Sequence, residues 1–168
     1  MSASYDLAVV GAGIVGLAHA LAGARRGLRV VVVDREPRAN GASIRNFGFI
    51  TVSGQQGGAC WRRARRSRDP WAQLAGPAGI AIEQEGLVVA AQRPEAMAVL
   101  EAFAAGEMGA GCVLLTAAEV RARVPVPAGT PLAGGLLSPH ERRVESRTAI
   151  PRLAAWLAEA HGVTFLRP

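Results

Sequence analysis

The sequence predicts an α/β domain on a parallel sheet, with a mixed α+β portion inserted before the last strand. Three observations carry that prediction. A short apolar run, Leu7 to Val10, leads into Gly11, Gly13 and Gly16 and then into an apolar stretch at helical spacing. A second apolar run, Val30 to Val33, ends on Asp34. After a long middle stretch of short strand-like and helical segments, a helix followed by a strand returns between Arg147 and Leu166. Strands alternating with helices in this way bury both faces of a parallel sheet.

The first element is the strand Leu7 to Val10, and its glycines have the spacing G-x-G-x-x-G. Ile14, Leu17, Ala18, Leu21 and Ala24 recur at helical spacing, and Gly27 closes that helix before the second strand. Gly11 permits the tight turn, Gly13 removes the side chain that would block a pyrophosphate, and Gly16 lets the helix pack closely on the sheet. The helix N-terminus offers free N–H groups and a partial positive charge to phosphates. Asp34 lies eighteen residues past Gly16, where a carboxylate accepts hydrogen bonds from a ribose diol. Strand, glycine turn, helix, second strand and acid together mark a dinucleotide-binding unit for an ADP-containing cofactor. The alternative is a structural crossover without ligand.

From Arg35 to Ile50 the chain reads as a loop of small and turn-forming residues. Residues 58–75 are helical in pattern, and Pro70 is expected to break or restart that helix. Ile80 to Glu83 and Leu87 to Ala90 read as a hairpin around Gln84, Glu85 and Gly86. Pro94 starts a helix carrying Met97, Leu100, Phe103 and Ala104, and Val113 to Leu115 is a brief strand. Thr116 and Glu119 form a capping box for a short helix, and a Pro/Gly-rich passage from Pro125 leads to a strand at Gly135 to Pro139. Ser146 or Thr148 is expected to cap the helix carrying Ile150, Leu153, Leu157 and Ala158, with Pro151 in its first turn. Gly162 stops that helix before the strand Val163 to Leu166.

This order predicts a nucleotide-binding domain over residues 1–78 and 145–168, interrupted by an inserted portion over 79–144. A three-stranded parallel sheet is thin for a doubly wound fold. The expectation is therefore that these residues form the N-terminal portion of a longer enzyme, with a compact small domain as the alternative.

Composition narrows the function classes. The net charge is +6, yet all 19 basic residues are arginine and aromatic residues are 5% of the chain. With no aromatic platform interleaved among the arginines, nucleic acid is not the expected partner. No apolar run approaches the ~20 residues of a membrane span, and a cytoplasmic protein is expected. Cys60 and Cys112 lack both metal-ligand spacing and a disulfide framework, and His19, His140 and His161 are scattered, so no metal site is read.

The fingerprint at residues 6–34, the loop Gly41-Ala-Ser-Ile-Arg-Asn-Phe-Gly48, the segment Ile80 to Ala90 and the element Glu145-Ser-Arg to Ile150-Pro-Arg-Leu-Ala together resemble a known group. They look like the FAD-dependent amine oxidoreductases related to D-amino acid oxidase, glycine oxidase and sarcosine oxidase. The stretch Ser43 to Phe49, with Arg65-Arg-Ser-Arg-Asp-Pro-Trp71 after it, also resembles a branch associated with aminophosphonate breakdown.

The resemblance implies a Rossmann-like FAD-binding domain with part of a substrate domain inserted. It implies that Gly11, Gly13 and Gly16 meet the FAD pyrophosphate, with the Ile14 and Val15 amides nearby. Asp34 would take the adenosine ribose, where many members carry Glu, and Arg35 would flank the adenine end. Ser43 would touch phosphate, and Arg45, Asn46 and Phe47 would lie toward the isoalloxazine. Later flavin contacts and the substrate-carboxylate arginine would fall beyond Pro168, which puts activity of these residues alone in doubt.

The implied reaction oxidises a C–N bond of a small amine or amino acid by hydride transfer to flavin N5. The cofactor carries that chemistry, so no nucleophile, acid pair or triad is required of the protein; Gly41 and Ser43 form a G-x-S pair without the G-x-S-x-G elbow. Arg62, Arg65 and Arg66 share one helical face and either hold an anionic substrate group or face water. His140 beside Glu141 either polarises a substrate or sits in a surface turn after Pro139. Two other readings remain: an NAD(P)-dependent dehydrogenase, since Asp34 suits NAD and Arg35 tolerates a 2′-phosphate, or a non-catalytic nucleotide-binding remnant.

Overall fold

The computed structural model describes residues 4–168. In chain order the first elements are β1 (Leu7–Val10), α1 (Ile14–Ala24), β2 (Val30–Val33), β3 (Phe49–Ile50), α2 (Ala59–Leu74) and β4 (Ile82–Ala91). They continue with α3 (Pro94–Ala105), β5 (Val113–Leu115), α4 (Ala117–Arg123), β6 (Gly134–Val144), α5 (Ser146–His161) and β7 (Thr164–Leu166). The chain forms two compact units, one of residues 4–49, 71–83 and 144–168, the other of residues 50–70 and 84–143.

The first unit holds a parallel sheet in the order β1-β2-β7. Leu7 pairs with Val30, and Val31 pairs with Thr164. Val30, Val31 and Val32 are all buried, as a strand covered on both faces demands. On α1 the residues Leu17, Ala20 and Leu21 form a buried stripe at helical spacing, and Ile150, Leu153, Ala154 and Leu157 do the same on α5. Asp6 clips the start of β1 to Arg29 through a bond of 2.8 Å from Nη2 to Oδ1, and that guanidinium holds its carboxyl down at about 2. Among the described residues no helix is long and apolar enough to cross a membrane.

The second unit is organised around β6, in a sheet of order β3-β6-β4 with β5 paired antiparallel to β6. Leu136, Val52 and Val120 are its most completely buried large side chains. The capping box is present: Thr116 Oγ1 accepts from Glu119 N, and Glu119 Oε2 accepts from Thr116 N at 2.8 Å.

Five expectations need correction. Helix α2 runs through Pro70 without a break. Proline there forfeits one N–H, and the buried Trp61 and Leu74 anchor the helix on either side of it. The hairpin at 80–90 is instead one continuous strand, β4. Gly86 takes φ +78 within it, and a Cβ there would lie 3.0 Å from the Ser138 carbonyl, so this glycine marks close backbone approach to β6 rather than a chain reversal. The turn expected after Pro139 is absent because β6 extends to Val144, leaving His140 and Glu141 5% and 6% exposed.

At α5 the N-cap is Glu145, whose carboxylate accepts from Arg147 N at 3.1 Å, and Pro151 is the sixth helical residue. Ser146 is diverted from capping because its hydroxyl donates to the carbonyls of Asn46 and Ile44. The unit boundaries also differ from the expected 1–78 and 79–144: residues 50–70 group with the second unit and 71–83 with the first. Hydrogen bonds from the Val52 and Ser53 amides to the β6 residue Glu141 account for the first difference.

Candidate functional site

The crevice at the carboxyl ends of β1 and β2 is built by the glycine turn. Gly11 adopts φ +101, and its N–H donates to Val33 O at 2.8 Å, tying the turn to the end of β2. Gly13 is the N-cap of α1 in ordinary extended backbone, and its carbonyl accepts the first helical bond from Leu17 N at 2.9 Å. A Cβ on Gly16 would lie 1.9 Å from the Gly11 carbonyl oxygen, so packing of α1 on the turn requires glycine there. A Cβ on Gly13 would meet only Ser43, at 3.0 Å from its Oγ. Glycine at 13 keeps clear the space beside the Ser43 hydroxyl, whereas glycine at 16 is demanded by the packing of α1.

Asp34 reaches back to this turn from the end of β2. Its Oδ2 accepts from Ala12 N at 2.6 Å and its Oδ1 from Glu36 N at 3.0 Å. Those two backbone donors hold the carboxyl below the usual aspartate range, and the nearby Arg167 and Arg35 add to the effect. Each oxygen keeps a further lone pair for a hydroxyl donor. Ser43, in the 3-10 turn Ala42–Ile44, accepts from Ile14 N at 3.0 Å, so its hydroxyl occupies the first free N–H of α1.

The predicted residues come together here. Gly11, Gly13, Asp34, Arg35 and Ser43 line one cleft of about 420 Å³. Gly11, Gly13, Val15, Gly16 and Ser43 line an adjoining hollow of about 520 Å³. Val10, the last residue of β1, is 89% exposed and Val15 on α1 is 69% exposed at the mouth of these spaces. Arg35 is exposed and lies 3.6 Å from Glu36. Arg38, Ala39 and Asn40, which the sequence marks only by their place in a turn-rich stretch just after the acid, also line the cleft.

The loop beyond Ser43 divides the remaining candidates. Arg45 and Phe47 are exposed, and the Phe47 ring sits 6.0 Å from that of Phe49. Asn46 spends its amide inside the loop: Nδ2 donates to Ala42 O at 2.8 Å, and Oδ1 accepts from Gly48 N at 2.7 Å.

In the second unit a buried polar cluster surrounds β6. Glu141 Oε1 accepts from Ser53 N at 2.6 Å and Val52 N at 3.3 Å, and the hydroxyls of Ser53 and Ser138 lie 2.7 Å apart. Burial pushes the Glu141 carboxyl up, but hydrogen bonds from Ser138, Ser53 and Val52 outweigh it and hold the group below its usual range. His140 Nε2 lies 2.6 Å from Ala110 O, and a carbonyl only accepts, so the proton is on Nε2 and Nδ1 accepts from Arg68 at 3.2 Å. The arginines of α2 are partly committed as well. Arg62 lies 3.7 Å from Glu107, and Arg65 stacks over Trp61 at 5.1 Å.

Comparison with known proteins agrees with this architecture. Residues 6–168 match the family described as FAD dependent oxidoreductase. Glycine oxidase from Geobacillus kaustophilus superposes with a TM-score of 0.78 at 26% identity, over 97% of this chain and 46% of that one. L-proline dehydrogenase from P. horikoshii superposes at 0.80 and 21% identity, over 99% and 45%. L-amino acid deaminase from Proteus myxofaciens, solved with anthranilate, does so at 0.78 and 21% identity, over 99% and 39%. A search of curated protein sequences finds no match. The chain spans less than half the length of these solved relatives. By its fold and by the match along nearly all of its residues, it belongs to the family of FAD-dependent oxidoreductases.

Proposed function

We propose that the first unit holds FAD and that the whole protein oxidises a C–N bond of a small amine or amino acid. The observation that carries this reading is the convergence of the glycine turn, Asp34 and Ser43 on one cleft. The fit rests on three features. Gly13 lines both hollows at the N-terminus of a helix whose partial positive charge favours phosphate, and a Cβ there would crowd the Ser43 hydroxyl at 3.0 Å. The Asp34 carboxylate is ionised and keeps lone pairs for a ribose diol. Ser43 accepts from Ile14 N, which leaves its own hydroxyl proton free to donate to a phosphate oxygen.

In this reading Gly11, Gly13, Ile14, Val15, Gly16 and Ser43 cradle the pyrophosphate, and Asp34 and Arg35 take the adenosine end. Arg45 and Phe47 face the flavin ring system. When bound, FAD would supply the two-electron acceptor, suited to hydride from the carbon bearing the amine, that amino-acid side chains lack. The residues of this chain bind and orient it, and the second unit contributes part of the substrate domain. The relatives' own substrates, glycine, proline and L-amino acids, favour a small amino acid or secondary amine. An aminophosphonate is the finer alternative carried by the stretch from Ser43 to Phe49.

The test is anaerobic addition of glycine, N-methylglycine, proline and 2-aminoethylphosphonate to the purified flavin-loaded protein. Bleaching of the visible flavin band by at least one of them supports the reading. A flavin that dithionite reduces but none of these amines reduces counts against it.

A further inference from the structure

We infer that Asn46 is a positioning residue, one that sets the cofactor-facing loop without touching the cofactor itself. The inference rests on the reading that Ser43 and Phe47 face FAD, and it departs from that reading's family-based expectation for Asn46. The side chain closes the loop on itself. Its Nδ2 donates to Ala42 O at 2.8 Å, one residue before Ser43, and its Oδ1 accepts from Gly48 N at 2.7 Å, one residue after Phe47. One amide thus joins the two ends of the segment that carries Ser43, Arg45 and Phe47.

The surroundings fix this closed loop to the rest of the first unit. Ser146 Oγ donates to Asn46 O at 3.1 Å and to Ile44 O at 3.4 Å, which ties the loop to the start of α5. Val144 N donates to Gly48 O at 3.1 Å. Gly48 adopts φ +72, and a Cβ there would lie 1.7 Å from the Val144 carbonyl, so the backbone is pressed against the end of β6. The loop is therefore anchored at 44, 46 and 48, while Arg45 and Phe47 between the anchors point outward, Phe47 being 79% exposed. Both polar atoms of the Asn46 amide are used in holding this shape. Ser43, held by Ile14 N at 3.0 Å, is the point at which loop shape becomes phosphate geometry.

The experiment is a double-mutant cycle of Asn46→Ala with Ser43→Ala, read by FAD titration through flavin fluorescence. The thermal midpoint of each cofactor-free protein and the visible circular dichroism of bound FAD accompany it. Asn46→Ala removes two hydrogen bonds and is expected to weaken FAD about tenfold and to change the circular dichroism, with Ser43→Ala weakening it by a similar factor. If Asn46 acts through the loop, the double variant is also weakened about tenfold, rather than the hundredfold of independent contacts. Additive losses, or an Asn46→Ala protein with wild-type affinity and dichroism, overturn the inference. If Asn46→Ala does not fold, Asn46→Asp takes its place, since it keeps the acceptor for Gly48 N and loses the donor to Ala42 O; the same coupling with Ser43→Ala is expected. If the wild-type protein takes up no FAD, the proposed function fails, and this failure is distinct from additivity in a protein that does bind it.

Discussion

Substitution of Gly13 and Gly16 by alanine separates ligand space from packing space. At Gly16 the new methyl would lie 1.9 Å from the Gly11 carbonyl oxygen, a backbone atom that yields only if α1 moves off the turn. A shift of that kind costs about 3 kcal/mol or more, at the upper end of overpacking effects. At Gly13 the backbone is in ordinary extended conformation, and the methyl meets only the Ser43 hydroxyl at 3.0 Å. Ser43 would turn away and give up its bond from Ile14 N, a loss of about 1 kcal/mol, with about 0.5 kcal/mol more for alanine replacing glycine at the N-cap.

Binding ranks the two variants the other way. The Gly13 methyl stands where a phosphate oxygen would approach the helix N–H groups, and charge-assisted hydrogen bonds of about 1.5–3 kcal/mol each are at stake. Loss of about 3 kcal/mol corresponds to more than a hundredfold in affinity. Thermal melts of the cofactor-free proteins and FAD titrations measure the two quantities independently. Gly13→Ala is expected to melt only a few degrees below wild type and to lose FAD; Gly16→Ala is expected to melt much lower. Wild-type FAD affinity in Gly13→Ala, or a larger stability loss there than in Gly16→Ala, would refute the reasoning.

Three further outcomes are expected. Glu141 has its carboxyl held below the usual glutamate value of 4.5, so its contribution to stability is present above that value and fades as pH falls through the lower folded one; Glu141→Gln keeps one oxygen for Ser53 N and Val52 N, and should flatten this acid limb in pH-dependent melts and cost about 1 kcal/mol at neutral pH as charge-assisted hydrogen bonds become neutral ones. Asp34→Asn keeps one acceptor for the two backbone donors, Ala12 N and Glu36 N, and should weaken FAD about tenfold in titration while lowering stability by about 1 kcal/mol. Gly86→Ala should cost about 1–2 kcal/mol in denaturant melts, because φ +78 inside a continuous strand disfavours a side chain and the Ser138 carbonyl stands 3.0 Å from the added carbon; an unchanged midpoint would argue against that strand geometry.

The first unit was legible because its signals are local and mutually consistent. Apolar runs, glycine spacing and a terminal acid all lie between Leu7 and Asp34, and each specifies the same strand-turn-helix geometry. The middle of the chain resisted reading for a different reason. Pro70 and Gly86 carry strong local signals for breaks, yet packing overrides them, and α2 and β4 run on. His140 and Glu141 read as a surface turn after Pro139 because polar residues there are ordinarily solvated. Their burial depends on partners far along the chain, Ser53 and Arg68 among them, which no local pattern announces. The same limit applied within the site. The loop from Ala42 to Gly48 was recognisable as a unit, but not that the Asn46 amide hydrogen-bonds back to the loop backbone at Ala42 and Gly48, nor that the loop is anchored at Val144 and Ser146.

The crevice at Gly13, Asp34 and Ser43 is expected to select FAD over other nucleotides. Titration of the purified protein with FAD, FMN and NADH under one set of conditions tests it most directly, with Gly13→Val as the reference for a blocked turn. Saturable binding of FAD at one equivalent is expected, with at least about tenfold weaker binding of FMN, which lacks the adenosine half, and of NADH, and loss of FAD binding in the variant. Preference for NADH, equal affinity for FMN, or undiminished FAD binding by Gly13→Val would contradict it.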